Sequence, residues 1–206
     1  MAVQSVGWGL ALVTVGFVVE GASDKKLVES LSFREWLKQD YKLEVIDPIV
    51  DVGGNGNLCS RNISLYVNLL KKQHNPDKIV VLADLDPEKC APCITKRKEI
   101  IGNDNIDLVI IARKAIESWF LADTEAMKSL TKQGRFFEEY PEQTPSMPWD
   151  RLKEIGLQTI GRGTGSSKIS FADKFIKYHQ FSVARAAQHP NCPSASYFVE
   201  KLKLLA

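Results

Sequence analysis

Three acidic side chains stand where apolar runs stop. Gly16-Phe17-Val18-Val19 gives way to Glu20-Gly21, and Ile79-Val80-Val81-Leu82-Ala83 gives way to Asp84-Leu85-Asp86-Pro87. Each acid alone has a plain explanation, because strands end in charged residues and Asp is common in turns. Together they say more. A nearly all-apolar run fits a strand buried on both faces of a parallel sheet, and in such sheets ligands gather beyond the carboxyl ends of the strands. Carboxylates brought to one sheet edge repel one another unless a cation lies between them, and hard oxygen donors favour Mg²⁺ or Mn²⁺. Mg²⁺ commonly takes only one or two protein carboxylates, with water and substrate phosphate completing its shell. The single residue between Asp84 and Asp86 lets both face the rim.

Positioning these acids requires strands and helices in alternation. The apolar stretch 7–19 predicts a first core strand. Ser23 is placed to cap a helix carrying Leu27, Val28 and Leu31, continued by Phe33, Trp36 and Leu37. A short strand is expected over Leu43 to Ile49, a loop over Asp51 to Asn57, and a helix over Leu58 to Lys72 with Leu65, Leu69 and Leu70 toward the core. Lys78 to Ala83 predicts a buried strand, Glu88 to Ile101 a helix, Ile106 to Ala112 a strand, and a further helix starts near Ala115. The alternation argues for an α/β fold, a mostly parallel sheet with helices on both faces. From Arg135 to Ser170 the pattern loosens, with Pro141, Pro145 and Pro148 and then Gly161, Gly163 and Gly165, which predicts a long functional loop or a small subdomain. Two last helices, Phe171 to Ala187 and Ser194 to Leu205, are marked by Ser170 with Asp173 and by Pro193-Ser194. The expected division is a metal-binding domain over 1–134 and a loop with a helical C-terminal extension over 135–206, packed on the same domain.

The chain has 206 residues, enough for one domain with a sizeable core. Its 44% hydrophobic and 25% charged content is that of an ordinary globular protein. A net charge of +2 neither demands nor excludes nucleic acid, so any basic surface must come from clusters such as Lys71-Lys72 or Lys96-Arg97-Lys98. Cys59, Cys90, Cys93 and Cys192 do not form a disulfide framework of the secreted kind. Cys90-x-x-Cys93 lacks a second pair or histidines at finger spacing, so free thiols in a reducing cytosol are the plainer reading over structural zinc. The apolar N-terminal stretch is too short for a membrane span and has no basic residue ahead of it, so a cytoplasmic protein without a membrane segment is expected. His74, His179 and His189 show no metal-ligand spacing, and the Gly53 to Gly56 loop lacks the Gly-Lys-Ser/Thr of a Walker motif.

The acids belong to a longer pattern. In chain order it reads "VVEGASD" at 18–24, "VVLADLDP" at 80–87, "IESWFLAD" at 116–123 and "NCPSASYFVEKL" at 191–202. Glu20-Gly21 and Asp84-Leu85-Asp86 resemble the Toprim fold, with Glu-Gly ending its first strand and Asp-x-Asp its third, and Asp24 strengthens the likeness. The four blocks together resemble the Toprim-like domain-of-unknown-function 4276 family more closely, over nearly the whole chain from about Phe17; the segment ahead of Phe17 departs from that family's usual short start. The resemblance implies a Mg²⁺-dependent nuclease related to the overcoming-lysogenization-defect nucleases, with two metals, a further acid on a later helix and a downstream lysine. Carried onto this sequence, it implies Glu20, Asp84, Asp86 and Glu117 as metal ligands and Lys168, in "GTGSSKISFADKF", as the catalytic lysine. It also implies DNA or RNA as substrate and an ATPase partner in phage defence, the ATPase residing on another chain because no ATPase motif is present here.

Under that reading, Glu20, Asp84 and Asp86 serve a cation that polarises the scissile phosphate, Glu117 helps a second that presents the attacking water, and Lys168 offsets charge growing on phosphate. Plainer roles exist for each. Glu117 suits the first turn of any helix, Lys168 suits an exposed surface, Asp123 reads as an interaction or capping residue, and Trp119, Phe120 and Leu121 read as core. The alternative function is a non-catalytic binding or interaction module. A haloacid-dehalogenase-like phosphatase also uses D-x-D, but after its first strand, whereas here the motif follows the third and runs into Pro87.

Overall fold

β1 (Val13–Val19) runs through the middle of a five-stranded sheet whose pairings are all parallel. The structure, a computed structural model, describes residues 12–88, 90–161 and 163–206. The 7–11 part of the expected first strand lies outside them. After β1 come α1 (Ala22–Glu29), α2 (Leu31–Tyr41), β2 (Leu43–Val45) and β3 (Val50–Asp51), then α3 (Ser60–His74) and β4 (Lys78–Asp84). α4 (Ala91–Ile101), β5 (Leu108–Ala112), α5 (Glu117–Ala122) and α6 (Thr124–Thr131) follow. The chain ends with α7 (Pro148–Ile160), α8 (Lys168–Tyr178), α9 (Val183–Ala186) and α10 (Pro193–Lys203). The strand order is β2-β1-β4-β5, with β3 also paired to β1.

Side-chain alternation along β1 and β4 builds two cores. Val15, Phe17, Val19, Val80 and Leu82 face one, with Leu27 and Phe33 from the first helices and Trp119, Trp149, Phe175 and Phe198 from the later ones. Val18, Ile79, Val81 and Ala83 face the other, against Ile63, Val67 and Leu70 of α3 and Ile101 of α4. Helices therefore cover both faces, which explains the unbroken apolar runs. Segment 135–206 contributes Trp149, Phe171, Phe175 and Phe198 to the same core as β1.

Several local expectations are corrected. The expected 43–49 strand stops at Val45 as β2, and a further short strand, β3, follows at Val50–Asp51, so the strand that carries Asp84 is fourth in chain order. Gly21, not Ser23, is the N-cap of α1, and Ser30 starts a separate helix by accepting from Phe33 N at 3.3 Å. On α3 the inward face is Ile63, Val67 and Leu70, spaced four and three apart, while Leu65 and Leu69 are 71% and 48% exposed. Asp123 breaks the expected long helix into α5 and α6. The loosened stretch contains a thirteen-residue helix, α7, because Pro148 sits in its first turn, where a missing N–H costs nothing. Ser167 rather than Ser170 caps α8, accepting from Ser170 N at 3.2 Å, and the helix stops at Tyr178. Cys90 and Cys93 are joined in a disulfide across the first turn of α4, with Cα atoms 5.2 Å apart, so they are not free thiols; Cys59 and Cys192 are. Among the described residues no helix is long and apolar enough to cross a membrane.

Gly16 shows how closely α3 lies on the sheet. A Cβ there would stand 2.7 Å from Leu70 Cδ2 and 3.0 Å from Pro76 Cγ. Leu70 is buried and the proline ring is stiff, so neither withdraws freely. Gly16→Val is expected to destabilise the protein by about 1–3 kcal/mol, the usual range for overpacking, as read from the urea unfolding midpoint.

Candidate active site

Glu20 leaves β1 with its main chain held on both sides. Its amide donates to Leu82 O at 3.0 Å, and its carbonyl accepts from Gly54 N at 2.8 Å. Gly54 has φ of +117°, a region that favours glycine, so the 53–56 glycine loop serves to seat an amide on Glu20. Asp84 is the last residue of β4, and its amide donates to Glu20 Oε2 at 3.0 Å. Asp84 Oδ1 accepts from Ile116 N at 3.0 Å, which ties the end of β4 to the start of α5. Glu117 is the first residue of α5 and Lys168 the first of α8, and Lys168 Nζ lies 3.6 Å from Glu117 Oε1. Asp24, in the first turn of α1, accepts from Gly21 N at 2.9 Å.

Glu20, Asp24, Asp84, Glu117 and Lys168 line one cavity of about 350 Å³ at the carboxyl edge of the sheet. Asp86 stands apart from the others. It is exposed, its amide donates to Lys114 O at 2.9 Å, and it is not in the cavity wall, although its charge acts on Glu20 and Glu117. The residue between the two aspartates, Leu85, is buried in the core of the opposite sheet face, and Asp86 follows it out to the rim.

The acids share one electrostatic problem. Burial, then repulsion from Glu117, holds the Asp24 carboxyl well above the usual carboxylate range. Burial, then Asp24, Glu117 and Glu20, does the same to Asp84. Glu117 is raised by burial, with Lys168 opposing, and Glu20 is raised by burial against the Asp84 amide and Arg97. Asp24 Oδ1 and Glu117 Oε2 are buried with no hydrogen-bond partner among the described residues. Such groups are costly to leave unsatisfied.

Arg97 joins the site from the back. Its Nη2 lies 3.3 Å from Glu20 Oε2, and both side chains are nearly buried. The sequence displayed Arg97 only within a basic run, and nothing in the spacing of α4 said which of the three cations would turn toward the sheet. Asp24 had a signal, its place in E-G-x-x-D.

The oxygen donors suit a hard divalent cation, and the two unpartnered buried oxygens give it somewhere to act. Among the described residues, however, no three His, Cys, Asp or Glu side chains form a metal-holding group by themselves. The carboxylates share a cavity rather than one ready coordination sphere.

The remaining motif residues hold this site in place. Trp119 Nε1 donates to Ser194 Oγ at 2.7 Å, and Ser194 donates to Glu142 Oε1 through its Oγ at 2.5 Å and its amide at 2.8 Å. Trp119 also stacks on Phe198, with centroids 5.2 Å apart. Asp123 is fully buried. It caps α6 by accepting from Ala126 N, accepts from Ser182 N at 2.7 Å, and takes Arg185 through Nε at 2.9 Å and Nη2 at 2.8 Å. Asp123→Ala strands those buried amides and the guanidinium. It is expected to destabilise by about 3 kcal/mol, the low end for breaking a buried pair because the Arg185 head is partly solvated, as measured by chemical denaturation.

No protein-family model matches the chain, and no curated protein matches it. Among solved structures, the chain is similar to the C-terminal region of the Burkholderia pseudomallei OLD protein, at 16% identity and a TM-score of 0.43, covering 96% of this chain and 100% of that one. It is also similar to the C-terminal region of the Xanthomonas campestris pv. campestris OLD protein, at 18% identity and a TM-score of 0.37, covering 91% and 97%. The likeness to the domain-of-unknown-function 4276 family rests on its four sequence blocks.

Proposed function

We propose that this chain is a Toprim-like, divalent-cation-dependent enzyme that cleaves phosphodiester bonds in nucleic acid. One observation carries the reading: Glu20, Asp24, Asp84, Glu117 and Lys168, distant along the chain, line one cavity at the carboxyl edge of a parallel sheet, and two of the buried carboxylates keep an unpartnered oxygen. Glu20, Asp84 and Glu117 are the residues to hold Mg²⁺ or Mn²⁺, with Asp86 adding negative charge from the rim. A bound cation supplies charge neutralisation and lowers the pKa of a coordinated water. The Asp84 amide and Arg97 fix the carboxylate of Glu20 from one side. Lys168, beside Glu117, is placed to offset charge that grows on phosphate. The four sequence blocks support membership of the Toprim-like domain-of-unknown-function 4276 family, and with it a cytoplasmic location and an ATPase partner in phage defence.

A second reading is a non-catalytic binding module. It is favoured by the ion pairs Arg97–Glu20 and Lys168–Glu117, which already set a cation against two of the acids. Cleavage of plasmid and single-stranded DNA and of RNA, with Mn²⁺ or Mg²⁺ against EDTA, separates the two. Cation-dependent cutting by the wild type and its loss in Glu20→Gln supports the enzyme; equal behaviour of the two proteins ends the assignment.

A further inference from the structure

Arg113 follows β5 at the same sheet edge as the acids. Ala112 lies opposite Asp84 in the ladder, and Leu85 N donates to Ala112 O at 2.9 Å, so Arg113 stands one strand away from the Asp84-x-Asp86 turn. Its main chain is fixed twice, the amide donating to Ser194 Oγ and the carbonyl accepting from Ser118 Oγ, each at 3.2 Å. Its guanidinium, by contrast, donates no hydrogen bond among the described residues. The acid paired with it, Glu142, keeps Oε2 3.8 Å away and has Oε1 engaged by Ser194 and Cys192. A guanidinium with five donors in a planar fork, on a fixed main chain and donating no hydrogen bond among the described residues, can take a phosphate or carboxylate.

The surroundings suit an anion. Arg113 lines a second cavity, of about 190 Å³, with Lys98, Ser194 and Tyr197 beside the apolar Ile94, Ile111 and Pro193, and among the described residues no acidic side chain lines it. Lys98 Nζ donates to Tyr197 Oη at 3.0 Å and lies 4.3 Å from the ring centroid, with Lys201 Nζ at 5.4 Å from the same ring. The phenol thus gathers two further cations at this edge. α4 links the two cavities, since Arg97 reaches Glu20 while its neighbour Lys98 reaches Tyr197.

We propose that Arg113, Lys98 and Tyr197 form a subsite for a backbone phosphodiester of a nucleic-acid strand, flanking the phosphate at the acid cavity. The subsite rests on the proposed function for the course of the strand, but its binding is measured without cleavage. The test is fluorescence anisotropy of a short labelled single-stranded DNA in EDTA, across a salt series. Arg113→Gln and Lys98→Gln are each expected to weaken binding by about tenfold and to flatten the dependence of log K on log salt by about 0.7, the share of one phosphate contact on a single strand. Arg113→Lys is expected to restore the slope. Wild-type affinity and slope in Arg113→Gln, with an unchanged unfolding midpoint, overturn the subsite; if that variant does not fold, Lys98→Gln decides by the same criteria. A protein that never cuts but loses strand affinity in these variants keeps the subsite and loses the nuclease reading.

Discussion

Asp84→Asn is expected to lower cation-dependent cleavage by roughly 10²–10³-fold, the scale of losing one preorganised electrostatic contact in a dry site. The fold should survive the change. Asn is isosteric, and its side-chain oxygen still accepts from Ile116 N, the bond that ties β4 to α5. What is lost is a negative charge in the wall of the cavity, where Asp84 is surrounded by Asp24, Glu117 and Glu20. Asp86→Asn makes the contrast, because Asp86 is exposed and outside that wall; its loss should be about tenfold, as for an outer-shell change. Initial rates at saturating Mn²⁺, with melting followed by circular dichroism, measure both. A larger loss in the Asp86 variant would move the centre of the chemistry out to the rim.

Mn²⁺ or Mg²⁺ at a hundredfold excess over its Kd is expected to raise the unfolding midpoint by about 5–10 °C at pH 8, from about 2.7 kcal/mol of binding linkage in a domain of this size. At pH 5 the shift should be much smaller. Below the ordinary carboxylate range, Asp24, Asp84 and Glu117 are protonated in the folded and unfolded chain alike. Their folded values are raised, so as pH climbs through the window between the ordinary and the raised values, the folded chain holds more protons than the unfolded one. The stability of the cation-free protein therefore falls across that window, and the penalty is complete above it. A cation reverses the penalty by taking the place of the protons. Asp24→Asn removes one of the repelling charges and keeps an acceptor for Gly21 N. The cation-free variant should be more stable than the wild type at pH 8 and should melt with a flatter pH profile. A wild type indifferent to Mn²⁺ at pH 8, with a pH profile matching that of Asp24→Asn, would rule out both the shared charge and the cation it is meant to hold.

Where the local expectations differ from the structure, the reason is shared: short-range signals compete, and packing chooses among them. Pro148 falls in the stretch expected to be a loop or small subdomain, yet it starts a helix, because Trp149, Leu152 and Ile155 have a core to enter. Leu65 and Leu69 read as core, yet the face that meets the sheet is set by Ile63, Val67 and Leu70. Ser170 and Ser167 offer similar caps, and the glycine-rich run 161–165 gave no indication of which would be used.

The sequence by itself determined the alternation of strands and helices, the burial of the sheet on both faces, and the placement of Glu20 and Asp84 at strand ends. These follow from hydrophobic periodicity and from where apolar runs stop, which are properties of neighbouring residues. Only the tertiary structure decided that Glu117 and Lys168 stand 3.6 Å apart, that Arg97 rather than Lys96 or Lys98 meets Glu20, that Asp86 lies outside the cavity, and that the guanidinium of Arg113 faces Glu142 at 3.8 Å at the sheet edge. Each of those depends on how α4, α5 and α8 are rotated and docked on the sheet. That rotation is set by the summed packing of many side chains, so a motif names the acids but does not place their partners.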